Sequence, residues 1–298
     1  MIGVLLCGGL GTRSGYYTHR VTNKHLIYTY NRAMIDYPLL SLVEAGVKDA
    51  VVVTGGRHSG DMMNYCGDGK EFGFNAIHYG RQYGEGGIGD ALKCARPFAQ
   101  GKPVCVILGD NLFEDDLSEF VTTYNGGCKI LLKEVDDPRA YGVASLDGHQ
   151  EYVTKVVEKP SNPETNLAVV GAYIFDKDVF DILDTLKPSA RGEYEVTDII
   201  EAYLAKGPGA VDYTKLKGYW IDMGSPDNLL EAANFIEANK EAFDRRFQKH
   251  FKIDLSLPLS RSKALDILGA IEKEYGPNTE YVKNFIKQHI KLLEKWGK

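Results

Sequence analysis

Apolar residues occur in short, nearly continuous runs that alternate with helical patterns over the first third of the chain. Such runs are typical of strands in a parallel sheet that is covered on both faces. Between the first two runs, residues 33–45 carry apolar positions at helical spacing, with Pro38 predicting a helix start or a kink. A further helix is predicted over 89–99. The alternation predicts a doubly wound α/β sheet whose ligand site lies beyond the carboxyl ends of its strands. The runs cover residues 2–7, 50–54, 75–79 and 103–108.

The pattern changes after residue 128, where predicted strands follow one another with little helix between them. This change predicts a mixed, mainly parallel sheet. Helical patterns return later, and two amphipathic, lysine-rich stretches close the chain. We therefore predict a main domain over residues 1–245 and a small helical C-terminal tail over 246–298. The later strands are predicted over residues 129–135, 142–146, 153–157 and 169–175, and the later helices over 179–186, 197–205 and 229–243.

Charge and cysteine usage narrow the class of protein. The chain has 298 residues and a formal net charge of −6, so we expect neither a nucleic-acid partner nor an anionic membrane partner. Its five cysteines are scattered without metal-ligand spacing, which predicts buried free thiols and a reducing cytoplasm. The first apolar run is too short for a signal peptide, and no run is long enough to span a bilayer.

A glycine-rich loop follows the first predicted strand, with the sequence Gly8-Gly9-Leu10-Gly11-Thr12-Arg13. Glycines let backbone N–H groups approach an anion, and an arginine adds a planar cationic fork for phosphate oxygens. The loop therefore indicates a phosphate site, with a simple strand-to-helix turn as the alternative. A P-loop is excluded because no Gly-Lys-Ser/Thr ends the loop. A dinucleotide fingerprint fails because Ser14 stands where its third glycine belongs.

Two carboxylates leave apolar strands beside a glycine. Asp110 follows Gly109 after the run over 103–108, and Asp222 follows Tyr219-Trp220-Ile221. Carboxylates at such strand ends suit Mg²⁺ bound beside a phosphate, while a turn or helix-cap role is the alternative for each. The spacing leaves open whether the two carboxylates meet.

Further polar residues are candidates for substrate contacts. Glu158 and Lys159 close a predicted strand, where they suit a sugar hydroxyl and a phosphate, or form only a salt bridge. Lys24 and Arg191 are additional basic candidates for phosphate. Gln82 can read the edge of a base, because its amide both donates and accepts hydrogen bonds.

Taken together, these segments resemble the sugar-1-phosphate nucleotidyltransferases, most closely the glucose-1-phosphate thymidylyltransferase branch, over residues 1–240. The segments that carry the resemblance are, in chain order, Gly8 to Arg13 with Lys24, Leu108-Gly109-Asp110-Asn111, Tyr141-Gly142-Val143, Glu158-Lys159-Pro160, Val169-Val170-Gly171-Ala172-Tyr173, Lys187 to Glu193, Glu195-Val196-Thr197-Asp198 and Trp220 to Gly224.

The resemblance implies a Rossmann-like nucleotide-diphospho-sugar transferase fold and a homo-oligomer, either a dimer or a tetramer. It also implies in-line attack of a sugar 1-phosphate, with glucose 1-phosphate favoured, on the α-phosphorus of a nucleoside triphosphate, with dTTP favoured. The products are a nucleoside diphosphate sugar and pyrophosphate. No covalent intermediate with the enzyme is expected.

The resemblance also assigns roles to residues. Mg²⁺ is held by Asp110 and Asp222. The catalytic group is Arg13, Lys24, Asp110, Lys159 and Asp222. The nucleotide is bound by Gly8, Gly9, Gly11, Thr12, Arg13, Lys24, Gln82, Gly87 and Asp110. The sugar phosphate is bound by Gly142, Glu158, Lys159, Val169 and Arg191.

Departures from the family pattern keep alternatives open. After Gly87 the chain reads Ile88-Gly89-Asp90-Ala91 where the branch has Leu-Ala-Gln-Ala, so Asp90 adds a negative charge near the nucleotide. The loop over 14–17 lacks the usual leucine and proline. One alternative is the same reaction with UTP, CTP or another phosphorylated acceptor. The other is a catalytically silent homologue that binds a nucleotide sugar as a regulatory subunit. A dinucleotide-dependent oxidoreductase is disfavoured by the missing third glycine.

Overall fold

The computed structural model describes residues 1–9, 22–56 and 58–252. Its helices are α1 (Asp36–Glu44), α2 (Ser59–Cys66), α3 (Gly87–Lys93), α4 (Arg96–Ala99), α5 (Ser118–Thr122), α6 (Val179–Thr185), α7 (Val196–Leu204), α8 (Pro226–Ala238) and α9 (Lys240–His250), with 3₁₀ turns at Lys24–Leu26, Lys70–Phe72 and Pro138–Ala140. The main sheet contains β1 (Ile2–Cys7), β4 (Asp49–Gly55), β5 (Ala76–Gln82), β6 (Val104–Leu108), β8 (Cys128–Glu134), β9 (Gly142–Leu146), β10 (Val153–Glu158), β11 (Leu167–Phe175) and β12 (Val211–Lys215). Two short pairs complete the strands, namely β2 (Tyr28–Thr29) with β3 (Arg32–Ala33), and β7 (Asn111–Phe113) with β13 (Trp220–Asp222).

The strand order places a topological switch point beside the first strand. The order is β10-β9-β11-β6-β1-β4-β5, and β8 pairs with both β11 and β12. From β1 the chain moves outward through β4 and β5 in parallel, then returns to place β6 on the other side of β1. Ligands of such sheets bind where the winding direction reverses, just beyond the carboxyl ends of the strands.

The second part of the sheet is largely antiparallel. β11 runs antiparallel to β6, β8 and β9, and β10 pairs antiparallel with β9. The pairing of β11 with β8 shifts between Val170 and Tyr173, and along its other edge β11 pairs first with β9 and then with β6. The predicted doubly wound, mixed α/β fold is confirmed.

Burial on both faces explains why the strands are continuously apolar. Every residue of β1 and of β11 is buried. Alternate β1 residues, including Val4 and Leu6, join an apolar cluster with residues of α3, α6 and α7. Leu39 and Leu42 of α1 are fully buried as well, and Leu42 packs against Gly3 of β1. Burial of this kind contributes about 25 cal/mol per Å² of apolar surface removed from water.

Several helix bounds differ from the sequence pattern in detail. Pro38 lies in the first turn of α1, as predicted for a helix start, because that turn needs no donor from the proline nitrogen. The predicted helix over 229–243 is divided at Asn239, whose side chain donates to the Phe235 carbonyl. The predicted boundary at residue 245 falls within α9. The predicted helical tail beyond residue 252 lies outside the described residues.

The thiols and the helices of the described residues bear on two of the predictions. All five cysteines are free, and four of them are buried. Across residues 1–9, 22–56 and 58–252, no helix has the length and apolar character required to cross a membrane.

Candidate active site

A cleft of about 470 Å³ opens at the carboxyl ends of β1, β5 and β6. Its volume lies in the range of pockets that enclose small ligands. Neither Gly142 nor Val169 is among its described lining residues. Gly11, Thr12 and Arg13 lie outside the described residues. Ten predicted site residues line the cleft, namely Gly8, Gly9, Lys24, Gln82, Gly87, Asp110, Glu158, Lys159, Arg191 and Asp222.

We call the part of the cleft formed by Gly8, Lys24, Gln82, Asp110 and Asp222 the nucleotide half. At the floor of this half, a Cβ on Gly8 would lie 2.2 Å from Gln82 Oε1, so a side chain at this position would displace the Gln82 amide. The next residue, Gly9, has a left-handed φ of +85°, which side chains other than glycine rarely tolerate. The floor therefore presents backbone rather than side chains to a ligand.

Asp110 and Asp222 meet in space. β7 and β13 pair antiparallel, so Asp222 lies opposite Asn111, and the Met223 N–H donates to the Asp110 carbonyl at 2.8 Å. A Cβ on Gly224 would lie 2.8 Å from Asp222 Oδ1 and 3.7 Å from Asp110 Oδ2. The two carboxylates therefore face one small space. The described residues hold no group of three or more potential metal ligands, but Mg²⁺ commonly needs only one or two carboxylates beside substrate phosphates.

Lys24 forms a buried ion pair with Asp110. The Lys24 ammonium lies 2.5 Å from Asp110 Oδ2, and the two side chains are 12% and 13% exposed. Burial on its own raises the pKa of Asp110, but the adjacent Lys24 charge and hydrogen bond outweigh it and hold that pKa well below its usual range. Asp110 is therefore ionised at neutral pH.

The turn that carries Lys24 is fixed by its neighbours. Asn23 caps the 3₁₀ turn by accepting the His25 backbone N–H at 3.0 Å, and its amide donates to the Cys7 carbonyl at the end of β1. His25 is buried, and burial together with the nearby Lys24 charge lowers its pKa to about 3. His25 is thus a neutral side chain that packs against Gly109.

Asn111 supports Asp110, although no role of its own was predicted for it from the sequence. Its amide donates to Asp110 Oδ1 at 3.0 Å, and its oxygen accepts from Trp220 Nε1 at 2.7 Å. Gly171 makes room for this amide, because a Cβ there would lie 2.3 Å from Asn111 Oδ1. A polar residue directly after a predicted ligand, beside a strand that also holds a ligand, is the signal that indicates such a supporting role.

We call the opposite part of the cleft, formed by Glu158, Lys159 and Arg191, the sugar half. Glu158 pairs with Gly142 across β10 and β9, and Gly142 pairs with Val169 across β9 and β11. The structure therefore brings these three predicted contacts side by side in register. Among them, Glu158 reaches the cleft, while Gly142 and Val169 lie beside it in the buried sheet.

Arg191 is held by carboxylates. Its guanidinium contacts Glu195 at 2.8 Å and Glu158 at 3.2 Å, and the Ser189 hydroxyl donates to Glu195 at 2.8 Å. Glu195 is buried two residues after a turn that is closed by the Ser189 N–H on the Glu193 carbonyl. No role is predicted for Glu195 from the sequence, since a separation of four residues from Arg191 is a weak signal outside a helix.

Lys159 has an uncommon backbone conformation. Its φ is +43°, it precedes Pro160, and its N–H donates to the Tyr141 carbonyl at 3.0 Å. Residues with side chains cost of order 1–3 kcal/mol in such conformations, and these outliers cluster at ligand sites. The turn directs a lysine into the cleft, where it lies 3.4 Å from Glu158.

Tyr194 links the two halves through its backbone. Its N–H donates to the Gly86 carbonyl at 2.8 Å, and its carbonyl accepts the Gly89 N–H at 2.9 Å. The contact is close, since a Cβ on Gly89 would lie 2.8 Å from the Tyr194 Cβ. The Lys93 ammonium lies 3.6 Å from the centre of the Tyr194 ring. The segment before α3 and the segment that carries Arg191 are therefore one connected structure.

Negative charge outweighs positive charge among the described side chains of the cleft. Lys24 and Arg191 both contact carboxylates, and the Lys159 ammonium lies beside one. A strongly anionic ligand therefore needs additional positive charge to bind here. The cationic side chains are Lys24, Lys159 and Arg191, and the carboxylates are Glu85, Asp110, Glu158, Glu193, Glu195 and Asp222.

The doubly wound sheet, the glycine floor at its switch point and the paired carboxylates define an α/β protein of the nucleotide-binding type. Comparison with known proteins specifies the family. Residues 2–239 match the Nucleotidyl transferase family, and the chain belongs to this family. It is a nucleotidyltransferase, and the predicted resemblance to the sugar-1-phosphate nucleotidyltransferases is confirmed.

Relatives of this chain carry more specific names. A glucose-1-phosphate thymidylyltransferase of Xanthomonas campestris pv. campestris is 38% identical over 240 residues, 79% of this chain and 80% of the relative. The low-salt glycan biosynthesis nucleotidyltransferase Agl11 of Haloferax volcanii is 36% identical over 243 residues, 80% of this chain and 67% of the relative.

Solved structures agree with this assignment of the fold. A putative glucose-1-phosphate thymidylyltransferase from Bacillus anthracis, in complex with a sucrose, is 38% identical with a TM-score of 0.72, covering 79% of this chain and 95% of that chain. A UDP-glucose pyrophosphorylase complexed with UDP-glucose is 25% identical with the same TM-score, covering 80% of this chain and 98% of that chain.

Proposed function

We propose that this enzyme transfers the nucleotidyl group of dTTP to glucose 1-phosphate, releasing dTDP-glucose and pyrophosphate. The observation that carries the proposal is the convergence of Asp110, Asp222 and Lys24 with the Glu158, Lys159 and Arg191 cluster in one cleft. The names of the thymidylyltransferase relatives, at up to 38% identity, support dTTP as donor and glucose 1-phosphate as acceptor.

The two halves of the cleft divide the substrates. In our proposal the nucleotide lies over Gly8 and Gly9, with its base toward Gln82 and Gly87, and Lys24 binds the triphosphate. The sugar phosphate binds Lys159 and Arg191, while Glu158 accepts hydrogen bonds from sugar hydroxyls. Gly11, Thr12 and Arg13 add predicted triphosphate contacts, and Gly142 and Val169 shape the sugar side from the neighbouring strands.

The carboxylate pair fits Mg²⁺ by the chemistry of its donors. Asp110 and Asp222 would hold the ion, because hard oxygen ligands beside substrate phosphates are its usual environment. The excess of carboxylates over cations in the cleft supports the same assignment, since a triphosphate needs a further positive charge to bind. When bound, the ion neutralises charge on the triphosphate and on the developing transition state.

Positioning and charge account for the remaining catalysis. The attacking group is an oxygen of a phosphate monoester, which is already largely ionised at neutral pH, so no general base is required. Lys159 and Arg191 hold this phosphate in line with the α-phosphorus, and Lys24 stabilises negative charge as pyrophosphate leaves. The reaction needs no covalent intermediate on the enzyme.

UTP is the alternative donor that an observation favours. The structural similarity to a UDP-glucose pyrophosphorylase extends over 80% of this chain, although at 25% identity. Thymine and uracil present the same hydrogen-bonding edge, so the same Gln82 contact suits both bases.

The test is pyrophosphate release with Mg²⁺ for dTTP, UTP, CTP, GTP and ATP, each with glucose 1-phosphate and with other sugar phosphates. We expect the highest kcat/KM for dTTP with glucose 1-phosphate. Higher turnover with another pair would contradict the substrate assignment while retaining the reaction. Binding without turnover across the panel would favour the catalytically silent regulatory homologue.

Two expectations about the enzyme in the cell remain predictions. A homo-oligomer, dimer or tetramer, is checked by light scattering of the full chain. A cytoplasmic location is supported by the five free thiols and is checked by fractionation.

A further inference from the structure

The side-chain amide of Gln82 forms hydrogen bonds through its nitrogen only, within the described part of the chain. Its nitrogen donates to the Gly87 carbonyl at 3.1 Å and to the Asp90 carboxylate at 2.9 Å. A side-chain amide nitrogen carries two N–H groups, so both are used. Gln82 is 4% exposed, and within the described part of the chain its Oε1 accepts no hydrogen bond.

The chemistry of these partners fixes which way the amide faces. Gly87 offers a carbonyl oxygen and Asp90 a carboxylate oxygen, and both are acceptors only. Turning the amide over would place Oε1 against both of them and would lose two donated hydrogen bonds, one of them to a charged group. Hydrogen bonds to charged groups are the stronger kind, so Asp90 contributes most to this preference.

The free oxygen faces the nucleotide half of the cleft. Gln82 Oε1 lies beside Gly8, where a Cβ would approach it to 2.2 Å, and both residues line the cleft. Asp90 is not among the described residues that line the cleft, so it contacts Gln82 from outside the cleft. It lies in the first turn of α3, packed against Gly86, where a Cβ would lie 2.8 Å from Asp90 Oδ2.

Resting on the proposed function, we propose that Asp90 is a positioning residue that fixes Gln82 Oε1 toward the base and so selects nucleotides whose base offers a ring N–H. Thymine and uracil carry that hydrogen on N3. Cytosine N3 is an acceptor, so it forms no hydrogen bond with the acceptor Oε1, and the site disfavours CTP. Asp90 thereby supports the base preference, although it adds negative charge near the nucleotide.

The test compares the wild-type chain with Asp90→Ala and Asp90→Asn. Alanine removes the acceptor, and asparagine can pair with either orientation of the Gln82 amide, because it can accept from Nε2 or donate to Oε1. We expect the ratio of kcat/KM for dTTP to kcat/KM for CTP to fall about tenfold in each variant, as for the loss of one directional contact to a base. A purely structural role of Asp90 would lower both values alike and leave the ratio unchanged.

Asp181→Asn is the matched control. Asp181 lies in the first turn of α6, a helix of the same seven-residue length as α3, and its side chain is exposed. The substitution removes the same charge from a helix start without touching Gln82, so we expect the wild-type ratio. A ratio within twofold of wild type in both Asp90 variants, or a wild-type preference for CTP, would overturn the role of Asp90.

A binding measurement separates this inference from the proposed function. Calorimetry of dTDP, UDP and CDP binding reports the base preference without turnover. Wild-type selection for dTDP and UDP over CDP that is lost in Asp90→Ala supports the role of Asp90 even where no pyrophosphate is released. Equal affinity for the three nucleotides contradicts it, whether or not the enzyme turns over.

Discussion

The two halves of the cleft use the same kinds of charged pairs in different surroundings. In the nucleotide half, Lys24 and Asp110 are 12% and 13% exposed and 2.5 Å apart. In the sugar half, Lys159 and Arg191 are 46% and 43% exposed, and each lies more than 3 Å from Glu158. The buried pair joins a 3₁₀ turn, which carries Lys24, to Asp110 just beyond the end of β6, while a strand end and a turn carry the exposed group.

This difference indicates which half is formed before substrate arrives. A buried pair is costly to disrupt, because removal of one partner leaves the other charge without water or counter-charge. An exposed pair contributes about 0–1 kcal/mol and exchanges partners readily. The nucleotide half is therefore preorganised, whereas in the sugar half Lys159 and Arg191 can leave Glu158 to bind a phosphate, with Arg191 still held by Glu195.

The largest effect is expected from the carboxylate pair. Asp110→Asn and Asp222→Asn should each lower kcat about a thousandfold or more, because each removes a charged oxygen from the proposed Mg²⁺ site. Single-turnover pyrophosphate release measures the loss. Asp61→Asn, at an exposed carboxylate of α2, is the control and should turn over normally. Activity above a tenth of wild type in both carboxylate variants would contradict the metal assignment.

The next prediction concerns pH and stability. The depressed pKa of Asp110 means that its stabilising effect is complete above the unfolded value near 3.8 and is lost as pH falls below it. In Lys24→Met, burial without the ammonium raises that pKa instead, so stability falls as pH rises above about 4. The free energy of unfolding lost in this variant should therefore grow from pH 4 to pH 7, reaching about 3 kcal/mol.

Lys159→Met provides the comparison for that measurement. Its partner is half-exposed, so urea unfolding should show a loss below about 1 kcal/mol at both pH values. Equal losses for the two lysine variants at pH 7 would remove the distinction between a preorganised half and an adaptable half.

The smallest effect is expected from Glu195, which holds Arg191. Glu195→Gln removes the charge that fixes the guanidinium at 2.8 Å, so the KM for glucose 1-phosphate should rise about three- to tenfold, as for loss of one charge-assisted contact. The KM for the nucleotide should stay at its wild-type value. Steady-state kinetics with each substrate varied in turn give the two KM values separately. Glu201→Gln, at an exposed residue of α7, is the control. A parallel rise in both KM values would indicate a general structural effect.

Much of the fold follows from local patterns. Continuous apolar runs predict buried strands because period and β-branching act within a few residues, and β1, β4 and β6 lie close to their predicted bounds. The division between α8 and α9 is not evident from periodicity, since apolar positions continue through Asn239 at helical spacing. Short strands such as β7 and β13 depend on a pairing partner about a hundred residues away.

The candidate site likewise contains residues that local sequence signals predict and residues that only tertiary contacts reveal. Gly8, Asp110 and Asp222 were recognisable because strand ends and glycines are local signals. Their meeting depends on the β7 and β13 pairing, which no spacing predicts. The supporting residues Asn111 and Glu195 act through side-chain contacts across the sheet and across a turn, so their roles emerge only from the three-dimensional structure.

The backbone link at Tyr194 has a consequence for how such enzymes diversify. Because Gly86 and Gly89 form hydrogen bonds with the main chain of Tyr194, the segment that we propose to contact the base and the segment that carries Arg191 form one connected unit. A side chain at position 89 would clash with Tyr194, so we expect a chimera that exchanges residues 84–90 without 189–195 to disturb both proposed substrate contacts. We therefore expect donor and acceptor preferences in this scaffold to be exchanged only when both loops are exchanged together.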